Sequence, residues 1–308
     1  MAEWQAKSGL PHTRYISAPT GVIPGPTSYT TARISTLRSS FDLFLTDKII
    51  QLLVDMTYSG DVPWRSGERS MPQKYRRTWG CFFWPVCTGQ EINHHGPYSE
   101  PPCPIVSSIN SHVRFDDRLT RPAHHREDKL AAFCTIWEKW THRLSLLFNL
   151  GRDICVDEQL VPFKGCCVFR QYMPNKPAKY GIKIWVTCDI GTSYAWRMQI
   201  YTGKPSGAAV VVNHSKRVVL DMKEGLQGNT VTCDNFFTTY SLAEELLKRK
   251  MALVRTIRKT KPELPPQLLK TRRRAIFSSL FAFTKTHTAL SYIPRRGEEC
   301  AVAQRKAP

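Results

Sequence analysis

Residues 154–157 read ICVD and residues 231–234 read VTCD, so each of two short apolar runs ends in an aspartate. Apolar runs of this length, rich in β-branched residues, predict short buried β-strands. Ligand sites in open α/β sheets gather at strand ends, and carboxylate oxygens are the ligands that Mg²⁺ prefers. The two runs therefore predict that Asp157 and Asp234 lie close together and form part of a Mg²⁺ site, where two carboxylates would hold the ion loosely.

The same pattern also fits a simpler role for either acid. Asp189 and Asp221 follow apolar runs as well. An aspartate at such a position often does no more than cap a turn. On spacing alone, both interpretations stay open.

The region around these runs has the pattern of a mixed α/β sheet. Four further runs are rich in β-branched or aromatic residues, at 183–188, 194–201, 218–220 and 252–257. Ser241 and Glu244 have the spacing of a capping box, which predicts the start of a helix. Strands followed by strand, helix and strand favour one mixed sheet over residues 154–257, with Asp157 and Asp234 on adjacent strands.

The first half of the chain is predicted to be flexible and then helical. Residues 1–40 are rich in Thr, Ser, Pro and Gly, which predicts a flexible arm. Apolar residues recur at helical spacing over 41–56 and over 128–147, which predicts two amphipathic helices in a helical region at 41–150. Residues 58–112 contain seven prolines and no clean period, so they are atypical of that region.

Composition narrows the class of protein. The 308 residues are about two domains' length, and a hydrophobic share of 42% excludes wholesale disorder. No run of 18 apolar residues occurs and the first ten residues lack a secretory pattern, so we expect no membrane span and a reducing compartment. Lys and Arg number 44 against 25 Asp and Glu, and the net charge of +19 points to a polyanionic partner, first of all nucleic acid and second an anionic membrane surface.

The histidines and cysteines do not form a recognisable zinc motif. The candidates are His94-His95, His124-His125, Cys81, Cys87 and Cys103. Their spacings fit no zinc pattern, and no C-x-x-C pair occurs in the chain, so no zinc is expected.

Two groups of basic residues are candidates for contacts with DNA phosphates. The first lies among the aromatic residues of 163–183, a mixture typical of a groove for a nucleic-acid backbone, and comprises Lys164, Arg170, Lys176, Lys179 and Lys183. The second lies in segment 248–308, which has sixteen Lys and Arg against three Glu, and comprises Lys270, Arg272, Arg273 and Arg274. A solvated basic face is the alternative for both groups.

Four longer blocks resemble the signature of the piggyBac family of DDE/D transposases and the host proteins derived from them. The blocks are DEQLVPFKG at 157–165, FRQYMPNKPAKYGIK at 169–183, YTGKP at 201–205 and VTCDNFFTT at 231–239. The resemblance is close from about residue 115 to residue 294, weaker over 25–56 and poor over 58–112. Because several blocks match in the same order, the resemblance is specific.

The resemblance implies an RNase H-like core in which three aspartates bind two divalent ions and cut and rejoin DNA at TTAA targets. Asp157 matches the first aspartate and Asp234 the second. No Asp follows Asp234, so the third is absent, as is the family's Cys/His-rich zinc domain. We therefore expect an α/β fold with an incomplete RNase H-like mixed sheet at 151–260, preceded by the helical region and the flexible arm. A basic tail at 261–308 would begin the family's insertion domain.

Three hypotheses follow for the function. The first is a nuclear, transposase-derived DNA-binding protein whose core is degenerate and inactive. The second is an active metal-dependent transposase or nuclease in which a Glu, or a partner chain such as a full-length relative or a second copy, supplies the missing acid. The third is the non-functional product of a decayed element, which would fold poorly.

Overall fold

The computed structural model describes ten parts of the chain: residues 5–6, 22–58, 115–116, 123, 128–203, 214–258, 260–270, 274–284, 286–295 and 300–305. The predicted atypical stretch 58–112 lies outside these parts except at its first residue. The helices are α1 (Ser28–Thr31), α2 (Leu37–Phe44), α3 (Asp47–Tyr58), α4 (Ala131–Leu147), α5 (His214–Met222) and α6 (Tyr240–Lys248). Among the described residues, no helix combines the length and the apolar character needed to cross a bilayer.

The strands are short except for two in the middle of the chain. They are β1 (Gln5–Ala6), β2 (Gly25–Pro26), β3 (Phe148–Asn149), β4 (Asp153–Pro162), β5 (Gln171–Tyr172), β6 (Tyr180–Asp189), β7 (Ala195–Ile200), β8 (Thr230–Cys233), β9 (Ala252–Thr256), β10 (Ser279–Phe283), β11 (His287–Tyr292) and β12 (Cys300–Arg305).

Ten of these strands form one mixed sheet in the order β1-β10-β11-β12-β9-β8-β4-β6-β5, with β7 also paired to β6. Strand β4 is antiparallel to β6, with Cys155 opposite Cys188, and parallel to β8, with Val156 opposite Cys233. Strand β8 in turn runs parallel to β9. The predicted mixed α/β class is confirmed, and strands within residues 154–257 contribute to one sheet as expected. The strand predicted at 218–220 is wrong: these residues lie in helix α5, whose apolar side chains pack on the sheet.

Helices cover both faces of the central strands. Residues of α5 and α6 pack on one face, in a buried cluster that includes Ile154, Val156, Val219, Met222, Val231, Cys233, Phe237, Leu242 and Leu246. Helices α3 and α4 pack on the other face, in a buried cluster that includes Ile49, Leu53, Ile136, Trp140, Leu144, Ile184 and Met198. Two packed faces hold β4 and β8 in place, and rigid strands position side chains more precisely than loops do.

The predicted flexible arm is wrong for residues 22–40. The Thr27 side chain donates a hydrogen bond to the carbonyl of Leu146 at 2.9 Å, and that of Thr30 donates one to the carbonyl of Leu147 at 2.8 Å. The last carbonyls of a helix have no partner within the helix, so these hydroxyls satisfy the end of α4. The polar side chains of this segment therefore cap the end of α4. Residues 7–21 lie outside the described parts.

The helix predicted at 41–56 is in fact two helices. Thr36 caps α2, because its side chain accepts a hydrogen bond from the Ser39 N–H at 3.1 Å. The helix ends before Leu45, whose φ of −107° and ψ of 81° are not helical. Leu45 is buried in the same cluster as Ile49, so the apolar period runs across the break and hides it. The second predicted helix agrees with α4.

Helix α6 begins one residue after Thr239, whose side chain accepts a hydrogen bond from the Leu242 N–H at 3.2 Å. The predicted capping box of Ser241 and Glu244 is therefore wrong, and both residues lie inside the helix. A Thr in the extended conformation just before a helix satisfies one of the first N–H groups, and Thr239 does this here.

The predicted basic tail at 261–308 is wrong for much of that segment. Strand β10 pairs with β11, β11 with β12, and β12 with β9, with Gln304 opposite Val254. Leu264 and Leu268 pack with Ala282 and Ala289 in a small buried cluster. Apolar side chains lie between the basic residues and allow these strands to pack. The net charge of the segment, on which the prediction of a tail rested, does not indicate such strands. The expectation of an insertion domain stays a prediction.

Candidate functional site

Asp157 lies within β4, and Asp234 directly follows the neighbouring strand β8. Val156 is opposite Cys233 where β4 and β8 run parallel, and the next residue of each chain segment is the aspartate. Both aspartates are exposed, whereas Val156 and Cys233 are buried. The two residues are therefore neighbours in the sheet, Asp234 at the carboxyl end of β8 and Asp157 at the same level of β4.

The immediate surroundings of Asp157 leave its carboxylate open to solvent. One oxygen accepts a hydrogen bond from the N–H of Glu158 at 2.8 Å. On the neighbouring strand β6, Asp157 faces Val186, and two residues earlier Cys155 faces Cys188. Asp157 thus projects from the face of the sheet opposite to that of Val156, since side chains alternate along a strand.

Glu158 is a further acid at the site that the sequence did not single out. Its side chain is 17% exposed, and the ammonium of Lys176 lies 3.9 Å from its carboxylate. Burial is the main cause that raises the pKa of Glu158, and the negative charges of Asp157 and Asp234 raise it further. The positive charges of Lys183 and Lys176 lower it. Glu158 is opposite Trp185, so it faces the other side of the sheet from Asp157.

Lys183 is a half-buried cation, and its predicted contact with a DNA backbone stays a prediction. Its ammonium lies 3.9 Å from the ring centre of Trp185 and 6.0 Å from that of Phe236. Burial lowers the pKa of Lys183, and Glu158 acts in the opposite direction. Lys176 is likewise engaged, since it also donates a hydrogen bond to the backbone carbonyl of Glu158 at 3.4 Å. The ammonium groups of Lys176 and Lys183 thus offset the negative charge of Glu158, the residue next to Asp157.

Lys164, Arg170 and Lys179 are exposed, and they lie on the loop and short strand that join β4 to β6. Arg170 donates hydrogen bonds to two carbonyls of this loop, and its guanidinium lies 5.3 Å from the ring centre of Tyr180. Tyr172 and Tyr180 are exposed too, with ring centres 4.8 Å apart. These five side chains form the cation–aromatic surface, a name kept for them below.

The second predicted basic group is only partly accessible. Arg274 donates hydrogen bonds to the side chain of Ser291 at 2.7 Å, to its carbonyl at 2.8 Å and to the carbonyl of Ser278 at 3.1 Å. Arg274 therefore joins strand β11 to the turn before β10, and its predicted role as a phosphate contact stays a prediction. Lys270 is exposed, and Arg272 and Arg273 lie outside the described residues.

Arg255 is a buried cation next to the two aspartates. It is 4% exposed, and it donates hydrogen bonds to the sulfur of Cys233 and to the carbonyl of Thr256, both at 3.0 Å. Burial lowers its pKa, while Cys233, Asp234 and Asp157 all act in the opposite direction. The sequence could have indicated Arg255, because an arginine inside the apolar run 252–257 places a charge in the core. A buried charge is costly unless it has partners, so such a residue usually has a specific role.

The aspartate pair fits a divalent ion by ligand type and accessibility. Carboxylate oxygens are the ligands that Mg²⁺ prefers, and both side chains are open to solvent, so water can complete the shell. Within the described parts of the chain, no group of three or more His, Cys, Asp or Glu is arranged to hold a metal. Asp157 and Asp234 would hold the ion, which supplies a bound water of lowered pKa and a positive charge for a phosphate.

Replacing Arg255 by Met should strengthen binding of Mn²⁺ about two- to threefold, because the buried guanidinium repels the ion while solvent around the exposed carboxylates screens the repulsion. Calorimetric titration of the wild type and Arg255→Met measures this. Arg255→Lys keeps the charge and should leave the affinity near that of the wild type. Equal affinities for all three proteins would contradict the electrostatic role.

Two comparisons with known proteins show the family of the chain. The family model described as Transposase IS4 matches residues 107–300. A cryo-EM structure of a piggyBac transposase synaptic complex with hairpin DNA is similar to this chain, with a TM-score of 0.75 and 28% sequence identity over 92% of this chain. The chain spans 63% of the length of that transposase. With its mixed RNase H-like sheet and its matching blocks, the chain belongs to the piggyBac-type family of DDE transposases.

Proposed function

We propose that this chain is a DNA-binding member of the family, whose two-aspartate site binds one divalent ion weakly and does not cut DNA on its own. The observation that carries the proposal is the cation–aromatic surface on the segment that joins β4 to β6. The loop that carries this surface is tied to β4 through Lys176 and Glu158, one residue from Asp157.

The chemistry of the surface suits nucleic acid. Lysine and arginine side chains neutralise phosphates, and exposed tyrosine rings offer faces on which bases can stack. The net charge of +19 favours approach of a polyanion over the whole chain. The similar piggyBac transposase is described in a complex with hairpin DNA, which supports DNA as the partner here.

Cellular context follows from the same proposal. A DNA-binding protein of this family would act in the nucleus. It would act in one of three forms: as a single chain, as a dimer with a second copy, or in a complex with a full-length relative. Size-exclusion chromatography with and without duplex DNA distinguishes the single chain from the dimer.

A triple substitution tests the cation–aromatic surface: Lys164→Gln, Arg170→Gln and Lys179→Gln. If each residue neutralises one phosphate, the slope of log K against log salt should become less steep by about 2.7, at roughly 0.9 per phosphate. Fluorescence anisotropy with a labelled duplex at several salt concentrations gives the slope.

The matched control removes the same charge from the helices, with Arg38→Gln, Lys48→Gln and Lys139→Gln, all at exposed positions. This control should change the slope by less than one. Equal changes in both triple variants would show that binding depends on net charge and would count against a defined surface on the segment that joins β4 to β6.

A further inference from the structure

An open cleft of about 780 Å³ lies at the end of the sheet away from Asp234. Its lining comes from α5, from the turn that precedes β8, and from the end of α6. The turn leads into the first residue of β8, and the end of α6 leads into β9, whereas Asp234 follows the last residue of β8. Since β8 and β9 are parallel, the cleft and the aspartates lie at opposite ends of these strands.

The lining carries an excess of positive charge. The basic residues are Lys216, Arg217, Lys223, Lys248 and Arg249, and the acidic residues are Asp221 and Glu224. Both acids already have partners: Asp221 lies 3.8 Å from Arg217, and Glu224 lies 3.1 Å from Arg197, which is outside the lining. Lys248 pairs with Glu245 at 3.0 Å.

Three cations of the lining make no ion pair in the described part of the chain, namely Lys216, Lys223 and Arg249. Lys216 and Arg249 are near enough to Glu245 to lower its pKa, but less than Lys248 does through its hydrogen bond and its charge. The cleft thus combines an open mouth with three cations near Glu245, whose carboxylate is already paired with Lys248.

Lys223 points most clearly to a ligand. It is 3% exposed and belongs to the lining of the cleft. Within the described residues, no hydrogen bond or ion pair of its ammonium is present. Burial lowers the pKa of Lys223 to about 8, the charge of Arg249 adds to this effect and Glu245 opposes it. The Lys223 nitrogen is not among the fully enclosed polar atoms that lack a partner, so the ammonium reaches the cleft, where an anion would offset the cost of its partial burial.

We propose that this cleft binds a phosphate group, with Lys223 at its floor and Lys216 and Arg249 at its rim. Lysine binds phosphate as a point charge and arginine can bind it through two N–H groups, so this set suits a phosphate oxygen cluster. The inference rests on the proposed function in one respect: it takes the DNA backbone as the source of the phosphate. The cleft is then a second DNA contact, separate from the aspartate site.

The test uses the full chain and two probes, inorganic phosphate and a labelled duplex. Phosphate should raise the melting temperature of the wild type above that in chloride of equal ionic strength. Lys223→Met removes the charge and keeps most of the side-chain length, and it should abolish that rise. Arg249→Gln changes an exposed rim residue, so it tests the cleft even if Lys223→Met alters folding. Lys139→Gln is the control of equal charge on α4.

For the duplex, Lys223→Met and Arg249→Gln should each weaken binding about three- to tenfold and make the salt slope less steep by about 0.9, whereas Lys139→Gln should not. Loss of the phosphate effect with unchanged duplex affinity would overturn the DNA backbone as the source and support a free phosphate ligand. If neither probe responds to the variants, the cleft proposal is wrong. A wild type that binds no duplex would overturn the proposed function, and the phosphate titration would still decide the cleft.

Discussion

Supercoiled plasmid incubated with the purified chain and Mn²⁺ is expected to stay uncut. Two-metal phosphoryl transfer places two ions about 3.5–4 Å apart, and ligands between them must offset their repulsion. Asp157 and Asp234 supply two carboxylates, enough to hold one ion loosely, because Mg²⁺ gives up its waters reluctantly. A second ion would need another acid near both.

The chain offers no good substitute for that acid in its described residues. Glu158 is nearest in sequence, but it faces the opposite side of the sheet and lies 3.9 Å from the ammonium of Lys176. No Asp follows Asp234 in the sequence. Lost positioning and electrostatic stabilisation each cost several kcal/mol of activation free energy, which amounts to orders of magnitude in rate.

The controls are Asp157→Asn and Asp234→Asn, each at an exposed position. Nicking by the wild type that disappears in both variants would overturn the expectation and establish a metal-dependent nuclease. Nicking that persists in both would identify a contaminating nuclease and leave the expectation standing. Calorimetry with Mn²⁺ on the same proteins shows whether the ion binds at the aspartate pair at all.

Replacing Trp140 by Ala should lower the free energy of unfolding by about 3–5 kcal/mol, the usual cost of emptying a large aromatic site in a core. Trp140 is fully buried, at 0% exposure, and its ring centre lies 5.4 Å from that of Trp137. It packs in the cluster that joins α3 and α4 to the sheet. Urea unfolding followed by far-UV circular dichroism measures the change without depending on tryptophan fluorescence.

The control is Leu146→Ala on the same helix, because Leu146 is 44% exposed and its loss should cost no more than about 0.5 kcal/mol. A cooperative transition in the wild type would count against the hypothesis of a poorly folded product. A Trp140→Ala change as small as that of Leu146→Ala would show that α4 does not pack on the sheet in solution.

Local sequence patterns were sufficient for the elements whose apolar residues repeat cleanly. Helix α4 was predicted because its apolar residues recur every three or four positions, and that stripe packs on the sheet. The adjacency of Asp157 and Asp234 was predicted from two apolar runs that each end in an acid. Both predictions succeeded because burial of an apolar face determines the structure in these segments.

Polar composition was a poor guide to flexibility. Residues 22–40 look like an arm, yet Thr27 and Thr30 satisfy the carbonyls at the end of α4. The segment after residue 261 looks like a basic tail, yet β10 to β12 extend the sheet. In both places the stabilising contacts join residues far apart in sequence, so no local window contains both partners.

The sequence by itself determined the family, the mixed sheet and the two aspartates, because long blocks and apolar runs carry that information locally. Only the tertiary structure decided which cations are accessible. Lys183 lies over the ring of Trp185, Arg274 bonds to β11, and Arg255 is buried against Cys233, whereas Lys164 is exposed. In sequence these side chains carry the same charge, but whether each contacts solvent, a ring or a carbonyl depends on strands that meet only in the folded chain.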